Sequence, residues 1–119
     1  MKKKLLIIDD DAELCKELIE IFDSEGYNVT CIFNGDDIEK TITQSEFHII
    51  LLDFKMPGLN GIEALRAIRE KSRESKILIA TGRPYIEDLL KREGLFGAVG
   101  GIFVKPYKPE LLIEKIKTF

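Results

Sequence analysis

Two short hydrophobic runs in this chain end directly in aspartate. Leu5–Ile8 is followed by the acidic triplet Asp9–Asp11, and Ile49–Leu52 is followed by Asp53. Short runs of leucine and isoleucine bounded by polar residues are typical of strands in a parallel sheet, where helices cover both faces. The pattern therefore predicts two buried parallel strands whose carboxyl ends carry acidic side chains.

Strand and helix patterns alternate along the rest of the chain. The predicted strands cover the segments Leu5–Ile8, Asn28–Phe33, Phe47–Asp53, Lys76–Thr81 and Gly101–Val104. Between them apolar residues recur at helical spacing, and Asn60, Pro84 and Pro109 mark expected helix starts. Five βα units with right-handed crossovers predict a three-layer α/β sandwich around a parallel sheet.

Composition narrows the class of protein. The 119 residues suit one domain, residues 1–119, and 45% hydrophobic residues can form a substantial core. A net charge of −3 disfavours a dedicated nucleic-acid surface, which is usually basic. The hydrophobic stretches are too short for a signal peptide or a membrane span. We therefore expect a cytoplasmic protein whose two cysteines, Cys15 and Cys31, stay reduced.

The acidic strand ends are predicted to share one pocket. Neighbouring parallel strands point the same way, so the side chains of Asp9–Asp11 and Asp53 gather at one edge of the sheet, where ligands of such sheets bind. Two unit charges about 4 Å apart repel each other by roughly 4 kcal/mol at an effective dielectric constant of about 20. Because a fold tolerates such crowding mainly when a cation binds there, the pattern predicts a metal site, and the oxygen ligands favour Mg²⁺.

Two further polar residues are predicted at the same edge. Thr81 ends the fourth strand, and Lys105 follows the fifth. A hydroxyl and an ammonium group beside a metal ion offer what a phosphoryl group requires: a neutral donor and positive charge. An aspartate can be the nucleophile that forms an acyl phosphate. The residues therefore predict a phosphoryl-transfer pocket in which one carboxylate is the acceptor.

Four segments combine these residues in order along the chain: Ile7–Asp11, Leu51–Gly61, Ile79–Gly82 and Phe103–Tyr107. The four segments resemble the receiver domain of two-component response regulators. The resemblance extends over essentially the whole chain, with the segments in the same order and at nearly the same spacing as in that family. The resemblance implies a flavodoxin-like fold with a five-stranded parallel sheet in the order 2-1-3-4-5. It also implies a phosphoacceptor switch, with at most self-catalysed phosphotransfer and slow autodephosphorylation, and not an enzyme that turns over a substrate.

The resemblance assigns roles to residues on the acidic side of the pocket. Asp53 matches the phosphoacceptor, which takes a phosphoryl group from a phosphohistidine. Asp10 matches the direct Mg²⁺ ligand, and Asp9 matches the acid that holds the ion mainly through water. Asp53 and the backbone carbonyl of Lys55 match the remaining protein ligands.

The resemblance also assigns roles to the residues around the phosphoryl group. Thr81 matches the hydroxyl that moves toward it, and Lys105 matches the cation that pairs with it. Pro106 fits a peptide bond after the lysine that is often cis in the family. Pro57 and Gly61 match residues that shape the loop after the acceptor.

Partners follow from the same resemblance. A sensor histidine kinase or a phosphotransfer protein is implied as the donor, and a downstream protein or an output domain absent from these residues as the target. The chain is expected to be a stand-alone receiver or the receiver part of a longer regulator, with no direct nucleic-acid or membrane contact. The face made by the fourth helix, the fifth strand and the fifth helix is the expected surface for a homodimer.

Three positions depart from the usual pattern or tune it. Receivers usually carry Tyr or Phe three residues before the lysine as a switch coupled to the threonine, whereas this chain has Ile102 there and Phe103 next. The aromatic relay is therefore expected to be absent or rebuilt. Lys55 and Arg83 occupy positions that tune the lifetime of the phosphoryl group, and as cations they are predicted to slow its hydrolysis, either by pairing with Asp53 or by shielding the acyl phosphate.

Two other functions remain open at this point. Asp9 and Asp11 imitate the nucleophile motif of haloacid-dehalogenase-like phosphatases, although Glu13 stands where that family has Thr or Val. A phosphorylation-independent binding module on the same scaffold is the other alternative. Within the triplet, Asp10 has capping-box spacing to Glu13, and Asp11 is either a fourth ligand or a residue of the first helical turn.

Overall fold

The computed structural model describes residues 2–56, 59–83 and 85–119. The five strands are β1 (Lys4–Ile8), β2 (Asn28–Ile32), β3 (Ile49–Asp53), β4 (Lys76–Thr81) and β5 (Gly101–Val104). The five α-helices are α1 (Ala12–Ser24), α2 (Ile38–Gln44), α3 (Gly61–Lys71), α4 (Ile86–Arg92) and α5 (Pro109–Lys117). The predicted βα alternation is confirmed.

The strands form one parallel sheet in the order β2-β1-β3-β4-β5, as expected from the family resemblance. Ile8 at the end of β1 is level with Leu52 in β3, so Asp9 and Asp53 occupy the next level on neighbouring strands. Asp53 is in turn level with Ala80, one residue before Thr81. The register therefore brings the polar strand ends to one edge.

Side chains of the central strands alternate between two buried layers. Leu6 and Ile8 face the layer of α2, α3 and α4, and Leu5 and Ile7 face the layer of α1 and α5. All four are fully buried. Because both faces of the sheet are covered, these strands are continuously hydrophobic instead of alternating with polar residues. The structure is the predicted three-layer sandwich.

Some predicted boundaries shift by one or two residues. Phe33 lies just after β2 and is 49% exposed, while Phe47 is buried but precedes β3. A short 3₁₀ turn, Gly35–Asp37, comes between Asn34 and α2. The prediction that Pro84 starts the fourth helix, and the part assigned to Pro57 in the loop after the acceptor, lie outside the described residues.

The start of α3 fixes the loop that follows Asp53. The Asn60 side chain accepts hydrogen bonds from the backbone N–H groups of Ile62 and Glu63, as expected of a helix cap. A Cβ atom added at Gly61 would lie 2.6 Å from the ring of Phe54, the residue that follows Asp53. Gly61 therefore allows α3 to pack against the residue next to Asp53.

No helix among residues 2–56, 59–83 and 85–119 is long and apolar enough to cross a membrane.

Candidate metal and phosphoryl site

Asp9 and Asp10 leave β1 in different environments. Asp9 is buried, with 1% of its surface exposed, and its Oδ1 accepts a hydrogen bond from the Asp11 backbone N–H at 2.9 Å. Asp10 is exposed. One carboxylate is therefore fixed inside the fold, and its neighbour is accessible to an ion arriving from solvent.

Asp53 completes a cluster of three carboxylates. Ligand oxygens of Asp9, Asp10 and Asp53 all lie within 4.8 Å of one another. Asp53 is 3% exposed, and its Oδ1 accepts a hydrogen bond from the Lys55 backbone N–H at 3.1 Å. The pocket predicted from the two aspartate-terminated runs is therefore present.

Lys105 bridges the two buried acids. Its Nζ lies 2.8 Å from Asp9 Oδ2 and 3.3 Å from Asp53 Oδ2. Burial acts to lower the pKa of Lys105, but the hydrogen bond to Asp9 and the charges of both acids outweigh it, so this pKa is raised overall. The ammonium group is therefore held charged between the two carboxylates.

Thr81 lies at the same edge and is linked to Lys105 by a backbone hydrogen bond. It is fully buried at the end of β4, and its carbonyl accepts a hydrogen bond from the Lys105 backbone N–H at 2.7 Å. Its Oγ1 accepts one from the Arg83 backbone N–H at 3.0 Å, which leaves the hydroxyl proton available. The peptide bond between Lys105 and Pro106 is cis, as the family resemblance suggested.

The acidic triplet divides into different tasks. Asp11, not Asp10, is the N-cap of α1, because its Oδ1 accepts a hydrogen bond from the Leu14 backbone N–H at 3.0 Å. This bond gives Asp11 the structural role that one sequence alternative proposed. It also leaves the Asp10 side chain for the carboxylate cluster, so the capping-box spacing between Asp10 and Glu13 was misleading.

Burial is the main influence on the ionisation of the Asp53 carboxyl. Desolvation raises the pKa of Asp53, and the charge of Asp9 acts in the same direction. The hydrogen bond from Lys55 and the charge of Lys105 oppose this shift without cancelling it. The ionised form of Asp53 is therefore disfavoured by its surroundings, and a further cation would stabilise it.

The donor set fits Mg²⁺. Three carboxylates provide oxygen ligands, and the exposed position of Asp10 leaves room for the water molecules that Mg²⁺ usually retains. The role of the Lys55 carbonyl as a ligand stays a prediction, since the observed contact of this residue is its N–H bond to Asp53.

The sequence assigned no role to two side chains in the core half that adjoins the pocket. The Cys15 thiol donates to the Asp9 backbone carbonyl at 3.5 Å, and the hydroxyl of Tyr107 is buried. Tyr107 stood in a recognised segment, two residues after Lys105, but nothing in the residue order indicates where its hydroxyl lies.

Comparison with known families agrees with this geometry. The model of the response regulator receiver domain matches residues 5–117. This chain belongs to the response regulator receiver family. The match includes all three carboxylates of the cluster, Thr81 and Lys105.

Solved receiver structures share the fold over nearly the whole chain. A CheY-like receiver domain protein from Methanospirillum hungatei has a TM-score of 0.89 at 27% identity, covering 99% of this chain and 93% of its own. The response regulator TrrA of Thermotoga maritima, solved in complex with Mg²⁺ and BeF, has a TM-score of 0.81 at 28% identity. That match covers 98% of this chain and 97% of TrrA.

Relatives known from sequence are longer. The DNA-binding response regulator MtrA of Mycobacterium tuberculosis is 26% identical over 99% of this chain and 50% of MtrA. The uncharacterized transcriptional regulatory protein YkoG of Bacillus subtilis is 30% identical over 98% of this chain and 50% of YkoG. The chain thus spans about half the length of the relatives it matches.

The raised pKa of Asp53 predicts a pH-dependent stability effect without metal. A carboxyl whose pKa is raised on folding contributes stability below its ordinary pKa of about 3.9, and this contribution is lost as pH rises through the folded value. We expect Asp53→Asn to raise the free energy of unfolding near neutral pH by about 1 kcal/mol, the usual size of a single-site effect. Urea unfolding in a chelating buffer measures it.

The control for this experiment is Asp88→Asn, at an exposed position in the first turn of α4. Its charge is favoured by the helix N-terminus, so its loss should have no effect or a small destabilising one. The gain from Asp53→Asn should disappear as pH falls below about 4. If Asp53→Asn is less stable than wild type at neutral pH, the conclusion that the ionised Asp53 carboxylate destabilises the fold is wrong.

Proposed function

We propose that residues 1–119 act as one receiver domain that accepts a phosphoryl group on Asp53 in a Mg²⁺-dependent reaction and thereby switches partner binding. The observation that supports this proposal best is the Lys105 ammonium group placed between Asp9 and Asp53. A pocket with two buried carboxylates, one exposed carboxylate and one fixed cation suits a metal and a phosphoryl group together.

In the proposed reaction a carboxylate oxygen of Asp53 attacks the phosphorus of a phosphohistidine on a sensor kinase or phosphotransfer protein. The phosphorus–nitrogen bond breaks, its electron pair stays on the imidazole nitrogen, and an acyl phosphate forms on Asp53. Lys105 pairs with the incoming negative charge, and the Thr81 hydroxyl donates a hydrogen bond to it. When bound, Mg²⁺ supplies positive charge that offsets the charge of the phosphoryl group.

The proposed output is a change in partner binding on the face of α4, β5 and α5. Val104 and Leu111 are large apolar residues on this face, 54% and 52% exposed, and they give a partner or a second copy of the chain an apolar contact. The chain would therefore act as a phosphoacceptor switch and not as an enzyme with a released product. The downstream partner is a separate protein or an output domain.

The phosphatase alternative is weakened by one observed bond. Its nucleophile motif needs both Asp9 and Asp11 free for chemistry, whereas the Asp11 carboxylate caps α1 through the Leu14 N–H. The phosphorylation-independent module differs from the proposal only in whether Asp53 is modified. Labelling of Asp53 therefore separates all three functions.

The test is incubation with Mg²⁺ and a small acyl phosphate, followed by intact mass measurement. We expect wild type to gain one phosphoryl group and Asp53→Asn to gain none, because the nucleophilic oxygen is removed. The matched control is Asp11→Asn, since asparagine caps helices as well as aspartate does. This control should be labelled to the wild-type extent.

Labelling of Asp53→Asn at the wild-type extent would disprove the acceptor assignment. Steady release of phosphate from small phosphoesters, lost in Asp11→Asn, would indicate the phosphatase. A wild-type chain that stays unmodified while binding its partner would indicate the phosphorylation-independent module.

The lifetime of the acyl phosphate is predicted to depend on Lys55 and Arg83. Both side chains are exposed, and their backbone N–H groups bond to Asp53 and Thr81. The described ion pair of Asp53 is with Lys105, so shielding of the acyl phosphate is the favoured explanation over pairing with Asp53. We expect Lys55→Ala and Arg83→Ala each to speed loss of the label about twofold to fivefold, the effect of an exposed charge worth ~0.5–1 kcal/mol.

The decay of labelled protein after removal of the donor measures this effect. Lys40→Ala, which removes an exposed charge on α2, should decay at the wild-type rate. Unchanged decay in both Lys55→Ala and Arg83→Ala would show that these cations do not protect the acyl phosphate.

A further inference from the structure

The aromatic side chains near the end of β5 lie on the layer opposite to Ile102. Ile102, at the usual aromatic position, packs with the core half that contains α3 and α4. Phe103 packs with the other half, against α1 and α5, where its ring meets that of Tyr107 edge-on at 5.7 Å between centroids and 61° between planes. The aromatic pair that adjoins β5 and the residues after Lys105 therefore lies in the α1 and α5 layer.

Tyr107 carries an unusual polar atom on that layer. Its hydroxyl oxygen is shielded from solvent and has no hydrogen-bond partner among residues 2–56, 59–83 and 85–119. An unsatisfied buried hydroxyl is costly, so folds rarely keep one without a reason. Phenylalanine would fill the same space without this cost.

The Tyr107 ring belongs to the core half that adjoins the acidic pocket. Tyr107 packs against the core half that contains Cys15, whose thiol contacts the Asp9 backbone carbonyl. Burial first, and then the negative charge of Asp9, raise the pKa of Tyr107, so the hydroxyl keeps its proton and stays a hydrogen-bond donor. A donor without a partner thus stands in the layer next to Asp9, whose Oδ1 accepts from the Asp11 N–H and whose Oδ2 accepts from Lys105.

That carboxylate is the one that Lys105 would leave. Lys105 Nζ is closer to Asp9 Oδ2, at 2.8 Å, than to Asp53 Oδ2, at 3.3 Å. A phosphoryl group on Asp53 carries more negative charge than a carboxylate and draws the ammonium group toward it. Asp9 Oδ2 then loses its donor while Oδ1 keeps the Asp11 N–H, and burying a carboxylate with fewer hydrogen bonds is costly.

We propose that Tyr107 is a positioning residue of the switch, whose hydroxyl donates a hydrogen bond to Asp9 once Lys105 moves to the phosphoryl group. The inference rests on the proposed function, since it concerns the state with Asp53 modified. Its consequence is that the Tyr107 ring shifts against Phe103, which transmits the state of the pocket to β5 by a route that does not need an aromatic side chain at position 102.

The test uses beryllium fluoride with Mg²⁺ as a stable substitute for the phosphoryl group. The chain contains no tryptophan and three tyrosines, so its ultraviolet emission comes from tyrosine. In a Tyr27→Phe, Tyr85→Phe background Tyr107 is the remaining tyrosine, and we expect its emission to change as the ligand saturates. In a separate variant, Tyr107→Phe should weaken beryllium fluoride binding about threefold to tenfold, the effect of one hydrogen bond.

Tyr27→Phe is the matched control. It removes the same hydroxyl from the same layer, and the Tyr27 ring also meets a phenylalanine edge-on, with 5.6 Å between its centroid and that of Phe22. Tyr27 precedes β2, at the sheet edge opposite to the carboxylates. We expect the affinity of Tyr27→Phe for beryllium fluoride to stay within about twofold of that of wild type, a smaller change than the loss of one hydrogen bond causes.

Urea unfolding without ligand should show Tyr107→Phe to be at least as stable as wild type, because an unpaired hydroxyl has been removed.

The outcomes separate the two proposals. If wild type does not bind beryllium fluoride with Mg²⁺, the proposed function fails. If wild type and Tyr107→Phe bind it equally well, whatever the emission does, Tyr107 has no role in the switch and the inference alone is overturned.

Discussion

Two buried carboxylates share one ammonium group, and the site depends on this arrangement. Asp9 and Asp53 stand at the same level of neighbouring strands, and Lys105 reaches both from a position 96 residues further along the chain than Asp9. Loss of the Lys105 ammonium group would leave two buried carboxylates without their shared cation, and breaking a buried ion pair in this way typically costs about 3–5 kcal/mol. The bond between the Lys105 N–H and the Thr81 carbonyl ties β5 to β4 and so positions the ammonium group. The positive charge of Lys105 offsets the repulsion between the two carboxylates, and the added negative charge of a phosphoryl group would change where that cation is held.

The arrangement of the site follows closely from the sequence. Leu5–Ile8 and Ile49–Leu52 are hydrophobic along their whole length because helices cover both faces of the sheet, and they pair residue for residue. Two runs of equal length that each end in aspartate must then place their acids side by side. Lys105 could be assigned to the same edge by the rule that parallel strands share a direction.

Other features depend on details that residue order does not encode. Any member of the acidic triplet could cap the first helix, and only the backbone path shows that Asp11 does. Alternation along β5 predicts that Ile102 and Phe103 face opposite layers, but not which layer each one faces. The buried hydroxyl of Tyr107 could not be predicted for the same reason, since its position depends on how the chain turns after Pro106.

Calorimetric titration with Mg²⁺ tests the central claim most directly, because the account requires the carboxylate cluster to bind the ion before any phosphoryl group arrives. Wild type is predicted to bind one Mg²⁺, and Asp10→Asn to bind it about tenfold or more weakly, through loss of the exposed carboxylate. Asp11→Asn, which keeps the helix cap, should bind Mg²⁺ as wild type does. Equal Mg²⁺ affinity in wild type and Asp10→Asn, or no binding to wild type, would contradict the account.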